Sequence, residues 1–180
     1  MANHGVMIPS AVVAANVDAY VRHAKGSVDL DNGNVVSLTA LTGVSGEREV
    51  WTAAVPATGA TLKNLWMVGE PEIVLTDNKY KNINPNVLDF YNVAGKVFSA
   101  FKLQLGDVVV LTADALGGTI STNTFVVATD GTAELTWASA AVSGVSLKLL
   151  ATESLSIPVL GSIGDSQRQT AYRFECVALA

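Results

Sequence analysis

The chain has 180 residues, of which 49% are hydrophobic and only 15% charged, with a net charge of −5. Its length suits one domain or two small ones. The absence of a Lys/Arg cluster argues against nucleic-acid binding, because that binding relies on clustered cations to displace counterions. A charged share below the usual ~25% points to a surface partly covered by other subunits.

Strand signals dominate from the first third onward. "PSAVVAANVDAYVRHA" predicts two or three helical turns, with Pro9 near the start and Ser10 as cap, although its residue mix also suits an extended arm. In "SVDLDNGNVVSLTAL", Asn32-Gly33 lies between two alternating runs and predicts a type I′ hairpin. "GEREVWTAAV" and "LKNLWMVGEPEIVLT" predict short strands interrupted at Gly69 and Pro71. "NPNVLDFYNVAG" predicts one helical turn with Asn84 as cap, Pro85 at the first position and Gly95 beyond the end.

In "AFKLQLGDVVVLTADAL", an alternating strand (Phe101, Leu103, Leu105) precedes a Gly-Asp turn and a continuous apolar run. "TNTFVVATDGTAELTWAS" predicts a hairpin at Asp130-Gly131, with Phe125 and Val127 facing Leu135 and Trp137. "GVSLKLLATESLSI" supplies one or two strands, and "RQTAYRFECVAL" a closing strand. The fold class expected is therefore all-β: an antiparallel barrel or sandwich of many short strands with an extended or partly helical N-terminal arm. The arm is residues 1–26. Residues 27–180 form the β-rich domain, either single or as two packed β subdomains.

No group of residues assembles into a site, and neither catalytic, cofactor-binding nor metal-binding residues are expected. Asp107 and Asp114 flank the apolar run as turn residues. "DLDNGN" fails as a calcium loop. Counted from Asp29, glycine falls at position 5 instead of 6, and Ala40 stands where a bidentate acid is needed. Asp29 and Asp31 remain a weak surface cation site. His4 and His23 are the only histidines, and neither has a second His or Cys at ligand spacing. "TGVSGE" is not a nucleophile elbow, and "LGGTISTNT" has no Lys to serve as a phosphate loop.

Glu70 and Glu72, separated by Pro71, read as a charged strand edge and not a glycosidase pair. Trp51, Trp66 and Trp137, with Tyr80, Tyr91 and Tyr172, suit core or interface packing better than a sugar platform. The single cysteine, Cys176, excludes an internal disulfide and a Cys-based zinc site, and reads as a buried free thiol. No apolar run approaches the ~20 residues of a membrane span. "MANHGVMIPSAVVAANVDAY" lacks the basic region and long apolar core of a signal peptide, so synthesis and use without Sec export is expected.

Four segments, "SVDLDNGNVVSL", "LWMVGEPEIVL", "VAGKVFSAFKLQLGDVVVLTADALGG" and "AYRFECVAL", together resemble head decoration (capsid auxiliary, or cement) proteins of tailed bacteriophages. The resemblance is one of pattern and composition and spans residues 27–180. It implies a structural virion protein on the outside of the mature, expanded capsid, with no catalytic residues and no cofactor. It further implies a homotrimer, with the major capsid protein as partner and an N-terminal arm engaging the shell or a neighbouring subunit. A glycan on outward loops is a further partner to test. The alternatives are another virion component (head fibre, connector or tail protein), a β-sandwich carbohydrate-binding module, and last a hydrolase with a dispersed site.

Overall fold

The computed structural model describes residues 3–57, 62, 64–71, 74–75, 83–84, 87–158 and 166–179. The regular structure of the described residues is almost wholly strand, joined by turns and loops: β1 (Met7–Ala11), β2 (Val21–Gly26), β3 (Val35–Leu41), β4 (Val50–Ala54), β5 (Trp66–Val68), β6 (Val74–Leu75) and β7 (Ile83–Asn84) in the first half. The second half contributes β8 (Val97–Phe101), β9 (Val108–Thr112), β10 (Leu116–Gly117), β11 (Phe125–Val127), β12 (Leu135–Ala138), β13 (Ser146–Pro158) and β14 (Ser166–Ala178). They form a seven-stranded sheet in the order β1-β9-β14-β13-β11-β12-β10, a closed barrel β2-β4-β3-β5-β8, and a small β6-β7 pair. The all-β expectation holds. Most pairings are antiparallel; β2–β4 and β10–β12 are parallel. The first parallel pair follows from β4 doubling back on β3 and inserting beside β2.

The two-residue period of the barrel strands divides their side chains between two cores. Val36, Trp66, Val68, Phe98 and Ala100 fill the barrel with Ala24 and Ala53. Their immediate neighbours Val35, Met67 and Phe101 point outward and join Val109, Leu111, Leu147, Trp137 and Phe174 of the large sheet. One wall of the barrel is thus the lid on the sheet's core. A third, small cluster joins Val6, Leu88 and Ile157 and pins the far half of the β13–β14 ribbon to the body.

The N-terminal segment departs from a free arm. β1 pairs with β9, Met7 lies in the main core, and β2 is a barrel strand. The expected helix is instead two 3-10 turns, Val13–Ala15 and Asp18–Tyr20. Val12, Val13, Val17 and Val21 are β-branched and disfavour a regular helix. The Val13 amide is also claimed by the Asp107 carboxylate at 3.0 Å.

The Asn32-Gly33 turn does not close a hairpin either. Only Gly33 has positive φ (+93°), whereas type I′ needs it at both central residues. Asn32 turns its side chain inward, donating to the Glu70 carbonyl at 2.8 Å and accepting from the Asn92 amide at 3.2 Å. The strands on either side accordingly find other partners, β2 with β4 and β8, β3 with β4 and β5.

The second hairpin forms as β11–β12, one residue out of the expected register: Val126 lies opposite Trp137 and Val127 opposite Thr136. "GVSLKLLATESLSI" makes one long strand with a register shift at Leu149–Ala151, and Leu150 is exposed there. The helical turn expected after Asn84 is a 3-10 turn at Val87–Asp89; Asn84 itself pairs with Val74, and Pro85 lies outside the described residues. The alternating run before Asp107 ends as strand at Phe101, leaving Leu105 in a turn and 66% exposed.

Candidate functional site

Asp107 is 2% exposed and acts as a clamp between turn and N-terminal segment. Its carboxylate accepts from the Gln104 amide at 2.7 Å and the Val13 amide at 3.0 Å, while its carbonyl accepts from the Cys176 amide at 2.8 Å. Asp114 is exposed within the 3-10 turn Ala113–Ala115. Asp31 does for the chain start what Asp107 does for residue 13. It accepts from the Gly5 amide at 2.7 Å and pairs with His4 Nδ1 at 2.8 Å, and His4 stacks on Tyr91 with ring centroids 4.6 Å apart. Asp29 accepts from the Ala94 amide at 2.8 Å. Both aspartates of "DLDNGN" thus serve the backbone, and no group of three metal-ligating side chains occurs among the described residues.

The His4–Asp31 pair has two members of a hydrolytic triad, but no Ser, Thr or Cys side chain bonds to His4 among the described residues. His23 contacts the Ser99 hydroxyl at 3.4 Å on the open barrel wall, with no carboxylate on its ring. Glu70 is spent on the Ser99 amide at 2.6 Å, and its own amide donates to Asn32 Oδ1 at 3.1 Å. Glu72 and Tyr80 lie outside the described residues. Cys176 is buried with its thiol pushed up to about 12, first by burial and then by the negative charge of Asp107. A thiol held neutral in this way is a poor nucleophile at physiological pH.

Two of the three tryptophans are core residues. Trp66 fills the barrel, and Trp137 packs edge-on against Tyr172 at 5.1 Å between the sheets. Trp51 is different. It sits half-exposed at the barrel mouth beneath the Arg22 guanidinium, 4.1 Å from the ring centroid, with Trp66 4.9 Å away on the other contact. A depression of about 630 Å³ opens there, lined by Arg22 and Trp51 with Asp18, His23, Arg48 and Glu49. Sequence reading weighed Trp51 and His23 singly. It missed Arg22, Asp18, Arg48 and Glu49, because the barrel closure that gathers them leaves no local spacing signal.

A second depression, about 330 Å³ and mainly apolar, lies between the N-terminal segment (Met7, Pro9, Val12) and the barrel wall (Gly69, Glu70, Phe101). Four of the thirteen exposed large apolar side chains among the described residues lie on the same segment: Ile8, Val13, Val17 and Val21.

No family model, no curated protein and no solved structure matches the chain.

Proposed function

We propose that the protein is a structural component of the exterior of a tailed-phage capsid, binding the mature shell and stabilising it, as a homotrimer. The observation that carries this reading is the surface of the N-terminal segment. Ile8, Val13, Val17 and Val21 stand exposed within the first 21 residues of a chain that is only 15% charged. Exposed apolar side chains on one short segment offer surface for contact with another protein. The pattern resemblance to decoration proteins names that contact as the major capsid protein or a neighbouring subunit.

The arm mechanism changes in this light. Residues 7–11 are already paired in the chain, and Pro9 on the outer edge of β1 opposes addition of a further strand. Contact through this segment is therefore by side chains. Open backbone edges lie elsewhere, on the ribbon: β13 has no outer partner strand beyond Lys148, and β14 none before Ala171, among the described residues. A neighbouring subunit adding a strand would use these edges. Stabilisation then follows from linkage, since a protein that binds only the expanded shell favours that state by mass action, and repeated sites add avidity.

Quantitative mass spectrometry of purified virions tests the placement. A copy number comparable to that of the major capsid protein supports it. A ring-sized copy number assigns the protein to a connector or tail and refutes it.

A further inference from the structure

Arg22 lies on β2, at the inward-facing position one step from the buried Ala24, and so closes the mouth of the barrel. Its guanidinium is held between Trp51 at 4.1 Å and Trp66 at 4.9 Å. Stacking explains the plane of the group but not its edge. Arg has five N–H donors in a rigid fork, and among the described residues Arg22 has no hydrogen-bond acceptor and no ion pair. Arg48, Asp18 and Glu49 line the same depression and are likewise without an ion pair among the described residues. Two arginines and two carboxylates share one hollow, and none of them is neutralised by another. Arg22 is thus a positioned set of donors, with the exposed side chains of Asp18, Arg48 and Glu49 around it.

The balance of charge selects the ligand. Asp18 and Glu49 would repel a polyphosphate or other polyanion. A single carboxylate matches the Arg fork bidentately. Hydroxyls suit the two acids and His23. Val21 and Leu41, both exposed on the rim, and the edge of Trp51 offer apolar surface to the C–H face of a ring. A volume of about 630 Å³ lies within the ~300–1,000 Å³ range of small-ligand sites. We infer that the mouth of the barrel binds an acidic saccharide, its carboxylate on Arg22 and Arg48 and its hydroxyls on Asp18, Glu49 and His23. This site adjoins the apolar N-terminal segment, with which it shares Val21, but does not rest on capsid binding.

The test is titration calorimetry with tryptophan fluorescence on the full chain. The probes are galacturonic acid, glucuronic acid and sialyllactose, each with one carboxylate and each beside its methyl ester, with an end-capped Gly-Glu-Gly peptide as the single-carboxylate protein control. The expected result is saturable binding of at least one free acid, about ten-fold or more weaker for its ester. Arg22→Gln and Arg48→Gln should each weaken it by a similar factor. Arg48 is exposed outside the barrel interior, so R48Q carries the test even if R22Q fails to fold. The inference is overturned by no binding across the panel, by equal binding of the ester, by full affinity in R48Q, or by the peptide binding as tightly as the best sugar.

Discussion

Single side chains join the ends of this chain to its middle. Asp107 holds the amides of Val13 and Gln104 from a buried position. Replacing it with Ala leaves both part-buried amides without their partner, at about 1 kcal/mol each where water takes the carboxylate's place and up to about 3 kcal/mol where it does not. The expected outcome for Asp107→Ala is a lower midpoint in urea, with Asp107→Asn recovering part of the loss. An unchanged midpoint would contradict the clamp.

Cys176 gives a pH prediction whose sign is fixed. Its thiol is raised from 9.0 to about 12 in the fold. The folded state therefore binds more protons than the unfolded one between those values, and stability falls as pH rises from about 9 towards 12. Cys176→Ala should flatten that alkaline decline when urea midpoints are compared across the window. The native thiol should also resist alkylation at neutral pH and react once the chain is unfolded.

At the scale of elements, the turns decide which strands meet. Gly33 sits at φ +93°, and a Cβ added there would lie 2.7 Å from Leu111 Cδ2. Gly33→Ala combines backbone strain with a clash in the main core, so the cost should exceed the ~1 kcal/mol of an ordinary Gly replacement. Thermal unfolding reads it, and a variant as stable as the parent would refute the turn's assigned geometry.

Much of this level was legible in sequence. Alternation and turn residues located the β11–β12 hairpin and the closing strand, and Asp107 accepts from the Gln104 amide of its own turn, as its Gly-Asp setting suggests. The partners of Asn32 were not legible. A buried amide that bonds Glu70 and Asn92, 38 and 60 residues away, overrides the local hairpin preference of Asn-Gly. The N-terminal helix failed for the same reason: a carboxylate 94 residues away claims the Val13 amide. The Arg22 site was illegible because Asp18, Arg22, Arg48 and Trp51 become neighbours only when the barrel closes.

At the scale of the whole molecule, the N-terminal segment has two faces. Its inward residues, Val6 and Met7, belong to cores, while its outward residues, Ile8, Val13 and Val17, are exposed. Removing residues 1–20 would therefore damage the fold along with any contact surface. Outward substitutions separate the two. The triple variant Ile8→Asp, Val13→Asp, Val17→Asp should keep the parent's circular dichroism and lose shell binding. Co-sedimentation of the purified protein with mature phage heads that lack it, and with unexpanded proheads, tests capsid binding. Saturable binding at fixed stoichiometry to mature heads, absent from proheads and from the triple variant, is the result predicted. A well-folded protein that binds neither head form would contradict the capsid reading outright.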